Sequence, residues 1–120
     1  MLWGAIIGDI VGSVYEFCNS KTKDFPLFDE RAFFTDDTVM TIAIAMGVHL
    51  GGGVENYAKQ MRIIGNAYSN LGYGTMFKNW LDDDTMMAYN SWGNGSSMRV
   101  SAVAYFPGAD LEKVLSEGEQ

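Results

Sequence analysis

The sequence has one cysteine, one histidine, two prolines and only eight basic residues, and each shortage removes a class of function. A lone Cys18 excludes an intramolecular disulfide. The first residues, MLWGAIIGDI, lack the basic flank and clean apolar run of a secretory signal, so a cytoplasmic setting fits. Eight basic against fifteen acidic residues leave a formal charge of -7, which repels the phosphates a nucleic-acid surface must neutralise. General nucleic-acid binding is therefore disfavoured. A small anionic ligand is not excluded, because a metal ion, a helix start or clustered backbone amides can reverse the local potential. No apolar run reaches the ~18 residues of a membrane span. The most apolar stretch, Val39 to Leu50, is interrupted by Thr41, Gly47 and His49 and reads as a buried helix. The single His49 lies late in that helix, where a structural role outweighs catalysis, and it is assigned no function.

The chain does have apolar content, 48% of 120 residues, enough for one domain that buries roughly two-thirds of its unfolded surface. Leu2 to Tyr15 is almost wholly apolar, with Gly4, Gly8 and Gly12 in a stripe on which another backbone can pack; we expect one helix there. Cys18 to Asp29 has no sustained period and reads as loop. Thr35 suits an N-cap, Asp36 and Asp37 suit the positive end of the helix dipole, and Gly51-Gly52-Gly53 suits the end of a helix reaching Leu50. Val54 to Ala67 spaces Tyr57, Met61, Ile64 and Tyr68 as an amphipathic helix that Asn70-Leu71-Gly72 should end. A short helix is expected from Thr75 to Leu81, then an irregular loop from Asp82 to Gly95. Another helix should follow Ser96 as its cap as far as Tyr105, and a last one should start between Asp110 and Leu115. The expected class is all-α, with chemistry at loops and helix starts.

Thr35, Asp36 and Asp37 put one hydroxyl and two carboxylates at the mouth of an apolar helix. Capping alone explains the pattern. Adjacent aspartates, about 100° apart on the helix, can also contact different ions of a pair, and hard oxygen donors suit Mg2+, Mn2+ or Ca2+ better than zinc. The stretch Asn90-Ser91-Trp92-Gly93-Asn94-Gly95-Ser96-Ser97-Met98-Arg99 combines flexible glycines, amides, hydroxyls and a helix N-terminus that can present backbone N–H groups to a phosphate or ribose, although it is neither a P-loop nor a dinucleotide fingerprint. An ordinary glycine turn before a helix explains it equally well. Glu16 reads as a base, a metal ligand or a solvated acid, and Asp82-Asp83-Asp84 reads as a solvated loop.

Three strings in one order add to these readings. Gly4-Ala5-Ile6-Ile7-Gly8-Asp9 through Tyr15-Glu16, Phe34-Thr35-Asp36-Asp37-Thr38, and Gly93-Asn94-Gly95-Ser96 through Met98-Arg99 resemble the first helix, first metal motif and ADP-ribose loop of the ADP-ribosylglycohydrolase family, which includes the dinitrogenase-reductase-activating glycohydrolases. The resemblance extends over nearly the whole chain, as the N-terminal half of the family's fold. It implies an all-α bundle in which residues 1–120 form a single partial domain. Thr35, Asp36 and Asp37 would hold two Mg2+ or Mn2+ ions, and Glu16 and Asp37 would serve catalysis. Ser91 and the Gly93, Asn94, Gly95 and Ser96 loop would bind the substrate, ADP-ribose or an ADP-ribosylated protein or small molecule. The implied reaction is metal-dependent hydrolysis of the glycosidic bond to ADP-ribose, the ions engaging the ribose hydroxyls and helping to activate water.

The chain also departs from the pattern. The family's second Asp-x-Asp-Ser/Thr cluster, far beyond the ADP-ribose loop, has no counterpart, and Asp82-Asp83-Asp84-Thr85 stands before that loop, so the role is not carried over. A truncated chain is expected. It would bind metal weakly, fail to turn over substrate alone and associate with itself through the face that the missing half would cover. The alternative reading is accordingly a non-catalytic ADP-ribose-binding or oligomerising fragment. Ser91 also stands where arginine-directed bacterial members carry aspartate, so arginine specificity does not transfer.

Overall fold

Thr35 begins the helix around which the rest of the chain is arranged. Its extended backbone and its side chain, which accepts a hydrogen bond from the Asp37 N–H at 3.2 Å, cap α2 (Asp36–His49). Helix α2 is buried along most of its length, including Val39, Met40, Ala43, Ile44 and Val48, as expected of a helix that is apolar on every side. It ends in three glycines with φ between 75° and 105°, a left-handed turn closed by the Gly52 N–H on the Gly47 carbonyl at 2.9 Å. This is a computed structural model that describes residues 2–108 and 110–120. Among the described residues it is all-α, as expected, with six α-helices, two short 3-10 segments and no strand.

The remaining helices are α1 (Trp3–Gly12), α3 (Val54–Ala67), α4 (Thr75–Asp82), α5 (Gly95–Arg99) and α6 (Leu111–Gly118). Helix α2 packs against α3, α5, α1 and the 3-10 segment Val100–Tyr105. Its two ends serve two cores. One gathers Val39, Met40 and Ala43 with Tyr73, Trp80 and Leu81; the other gathers Ile44 and Val48 with Tyr57, Ala102 and Val103. The Phe77 and Trp80 rings stack at 5.5 Å, and the Arg62 guanidinium lies 3.9 Å from the Trp80 ring centroid. Arg62 also donates to the carbonyls of Trp80, Asp83 and Met86, which fixes the start of the loop after α4.

Three expectations change. The first helix does not run to Tyr15: it ends at Gly12 and tightens into a 3-10 turn, Ser13–Tyr15, because the Ser13 hydroxyl donates to the Ile10 carbonyl at 2.9 Å. Its glycine stripe does not receive another backbone, since a Cβ on Gly4, Gly8 or Gly12 would meet nothing within 4 Å. Close approach occurs at Gly47 instead, where a Cβ would lie 2.5 Å from the Tyr57 ring and 3.3 Å from its Cα. Nor is Ser96 the cap of the helix after the loop. That helix starts two residues earlier, at Gly95, its first turn rooted on the Asn94 carbonyl, which accepts from the Met98 N–H at 3.1 Å and the Ser97 hydroxyl at 2.8 Å. It gives way to 3-10 at Val100. Elsewhere the bounds hold closely: α3 spans Val54–Ala67 as expected, and α4 runs one residue further, to Asp82.

Candidate functional site

Asp9 is the one charged residue of α1, and a carboxylate in so apolar a helix needs partners. It finds them 26 and 29 residues away. Asp9 Oδ1 accepts the Thr35 hydroxyl at 2.6 Å; Oδ2 accepts the Thr35 N–H at 2.8 Å, the Thr38 N–H at 3.2 Å and the Thr38 hydroxyl at 2.5 Å. These bonds dock α1 onto the start of α2. The next two residues, Asp36 and Asp37, are half-buried and face a cleft. Burial, followed by the charge of Asp9, raises the Asp36 carboxyl above its ordinary range. Asp37 is raised by burial first, then by Asp36, Asp9 and Glu16. Four acids thus share one field, which favours a cation beside them.

On the other bank, the Thr41 hydroxyl of α2 meets the Met98 carbonyl of α5 at 3.4 Å, so the buried helix also sets the position of the loop before α5. Within that loop the Ser91 hydroxyl accepts the Gly93 N–H at 3.1 Å, a local turn that leaves Trp92 fully exposed. Asn94 and Ser96 are exposed, and Gly95 is half-buried against Arg99, whose Nη1 would lie 3.3 Å from a Cβ placed there. Arg99 lies over the Phe77 ring, 5.8 Å from its centroid, and burial lowers its pKa. No carboxylate pairs with it among the described residues.

The cleft that these residues line has a volume of about 1810 Å3. The residues to which the sequence assigns catalysis, metal or substrate all line it: Glu16, Thr35, Asp36 and Asp37, with Ser91, Gly93, Asn94, Gly95 and Ser96. Asp9 and Arg99 line it as well. Sequence reasoning gave neither a role, although the only acid in an apolar helix was a usable signal for Asp9. His49 is exposed and outside the cleft, and Asp83 is occupied by the Thr85 N–H and hydroxyl at 2.9 and 2.6 Å. Buried Tyr73 was also missed. Its hydroxyl has no hydrogen-bond partner among the described residues, and burial, then the charge of Asp36, pushes its pKa up to about 12.

The donors at the acidic bank are hard oxygens, the right chemistry for Mg2+ or Mn2+. Their number is small: among the described residues no three His, Cys, Asp or Glu side chains converge as a group able to hold an ion. One hydroxyl and two carboxylates suit Mg2+, which retains several waters and accepts one or two carboxylates, better than a cation requiring an all-protein cage. No helix among the described residues is long and apolar enough to cross a membrane.

A family model described as ADP-ribosylglycohydrolase matches residues 1–120. No curated protein and no solved structure matches the chain.

Proposed function

The chain belongs to the ADP-ribosylglycohydrolase family, and from that premise we propose that its cleft binds ADP-ribose conjugates and hydrolyses the glycosidic bond joining ADP-ribose to a protein or small molecule. One observation supports the reading: two motifs more than fifty positions apart, Thr35-Asp36-Asp37 and Ser91 to Ser96, line one cleft. Thr35, Asp36 and Asp37 would hold Mg2+ or Mn2+. Such ions supply Lewis acidity toward ribose hydroxyls and water.

The chain's own groups have separate tasks. Gly93, Gly95 and the Asn94 and Ser96 side chains contact the ADP-ribose, where glycine permits close backbone approach. Arg99 faces the same space as a cation without a carboxylate partner, suited to the anionic diphosphate. Glu16 and Asp37, which both line the cleft, would orient water or accept its proton as the bond at the ribose carbon breaks. Ser91, which lines the same cleft, would contact the substrate as well.

The second reading, binding without turnover, is favoured by one specific observation, the lack of three converging metal-binding side chains among the described residues. Self-association through exposed apolar residues such as Phe17 and Phe28 belongs to that reading. The experiment is an assay of ADP-ribose release from an ADP-ribosylated protein, run beside a direct binding measurement, in Mg2+ or Mn2+. Release abolished by Asp37→Ala supports hydrolysis, and binding without release supports the second reading. Neither binding nor release overturns both.

A further inference from the structure

We propose that Asp9 is a positioning residue for the cation site, one that fixes the proton of the Thr35 hydroxyl so that its oxygen is free to act as a ligand. The inference rests on reading Thr35, Asp36 and Asp37 as divalent-cation ligands. A neutral hydroxyl binds a cation through an oxygen lone pair, so its proton must be directed elsewhere. A hydroxyl has one proton and two lone pairs. In Thr35 the proton goes to Asp9 Oδ1 at 2.6 Å and one lone pair accepts the Asp37 N–H at 3.2 Å. One lone pair remains.

Asp9 is held from both of its oxygens: Oδ2 accepts the Thr35 N–H, the Thr38 N–H and the Thr38 hydroxyl, which saturates it, while Oδ1 accepts the Thr35 hydroxyl. Its hydrogen bond to the Thr35 hydroxyl is the contact that ties it to the cation site. Because Asp9 sits on α1 and Thr35 caps α2, the docking of two helices sets the orientation of a single hydroxyl. A carboxylate behind a ligand of this kind raises its basicity and restricts its rotation.

The test is Mn2+ titration of the 120-residue chain, followed by electron paramagnetic resonance of the free ion, with thermal unfolding of each variant measured alongside. Asp9→Asn should bind Mn2+ roughly ten- to a hundredfold more weakly than the parent, the range seen when groups supporting a ligand are removed. Thr38→Val, which loses an Asp9 hydrogen bond but leaves the Thr35 hydroxyl paired, should lose stability and keep the parent's affinity. Equal weakening by both substitutions would reduce Asp9 to a structural tie and overturn the proposal. Parent-like affinity in Asp9→Asn would overturn it while leaving the cation ligands intact; no binding by the parent would remove the metal reading and this inference together. Should Asp9→Asn fail to fold, the parent gives the answer by NMR. The Thr35 hydroxyl proton should persist and move downfield on adding Mg2+, and its loss to exchange would contradict the role.

Discussion

The Tyr57 hydroxyl donates to the Glu117 carboxylate at 2.6 Å, joining the last helix to α3 across sixty residues of sequence. The same carboxylate accepts the Gly53 N–H at 3.0 Å and the Lys113 ammonium at 2.5 Å, and its side chain is only 3% exposed. Lys113 first, then Tyr57, holds the Glu117 pKa down, from 4.5 to about 2. A depressed carboxyl pKa stabilises the fold fully above its unfolded value and ceases to do so as pH falls through the folded one. Stability that depends on Glu117 should therefore be present at pH 5 and lost between pH 4.5 and about 2. Glu117→Gln should be less stable than the parent at neutral pH and lose less on acidification. Parallel acid limbs in chemical denaturation would contradict this.

Two glycines test the packing in opposite directions. Gly47→Ala would drive a Cβ to 2.5 Å from the Tyr57 ring. It should cost ~1–3 kcal/mol, as overpacked sites do. Gly8→Ala meets nothing within 4 Å on α1, so helix propensity alone operates and the gain should approach ~1 kcal/mol. Urea unfolding of the two variants measures both, and a stabilising Gly47→Ala would show that α2 and α3 are not in close contact there.

Tyr73→Phe should leave stability unchanged or raise it. The hydroxyl is buried without a partner, and removing an unsatisfied polar atom relieves its desolvation cost. A loss above ~1 kcal/mol would mean that the hydroxyl makes a favourable interaction in solution.

Gly95→Val should weaken ADP-ribose binding. A branched side chain at Gly95 would press on Arg99 Nη1, which lies 3.3 Å from the Cβ position, and would obstruct the approach of a ligand to the loop backbone. Calorimetry with ADP-ribose checks it; unchanged affinity would remove the loop from the site.

How much of this was legible in the sequence depended on whether the cause was local. Thr35, the two aspartates after it and the triple glycine declare α2 through capping and turn chemistry alone, and the helix begins and ends where they direct. The spacing of Tyr57, Met61 and Ile64 likewise declares α3. The Gly4, Gly8 and Gly12 stripe misled because a small-residue face shows only that close packing is sterically possible; the actual contact formed at Gly47, where Tyr57 arrives from another helix. Ser96 looked like a cap by residue type, but the backbone had already turned at Asn94. The candidate site residues belong to recognisable strings that line one cleft, whereas Asp9 acts through partners 26 and 29 positions away and the unpartnered Tyr73 hydroxyl arises from burial. Those are tertiary facts that no local pattern carries.

The central claim is that the acidic bank and the Asn90 to Ser96 loop act on one ligand. Its most direct test is calorimetric titration of ADP-ribose with and without Mg2+, for the parent and for the double variant Asp36→Ala, Asp37→Ala. The parent should bind ADP-ribose more tightly in Mg2+, and the double variant should bind with the same weaker affinity in both conditions. An equal Mg2+ effect in both proteins, or no binding of ADP-ribose by the parent, would contradict the account.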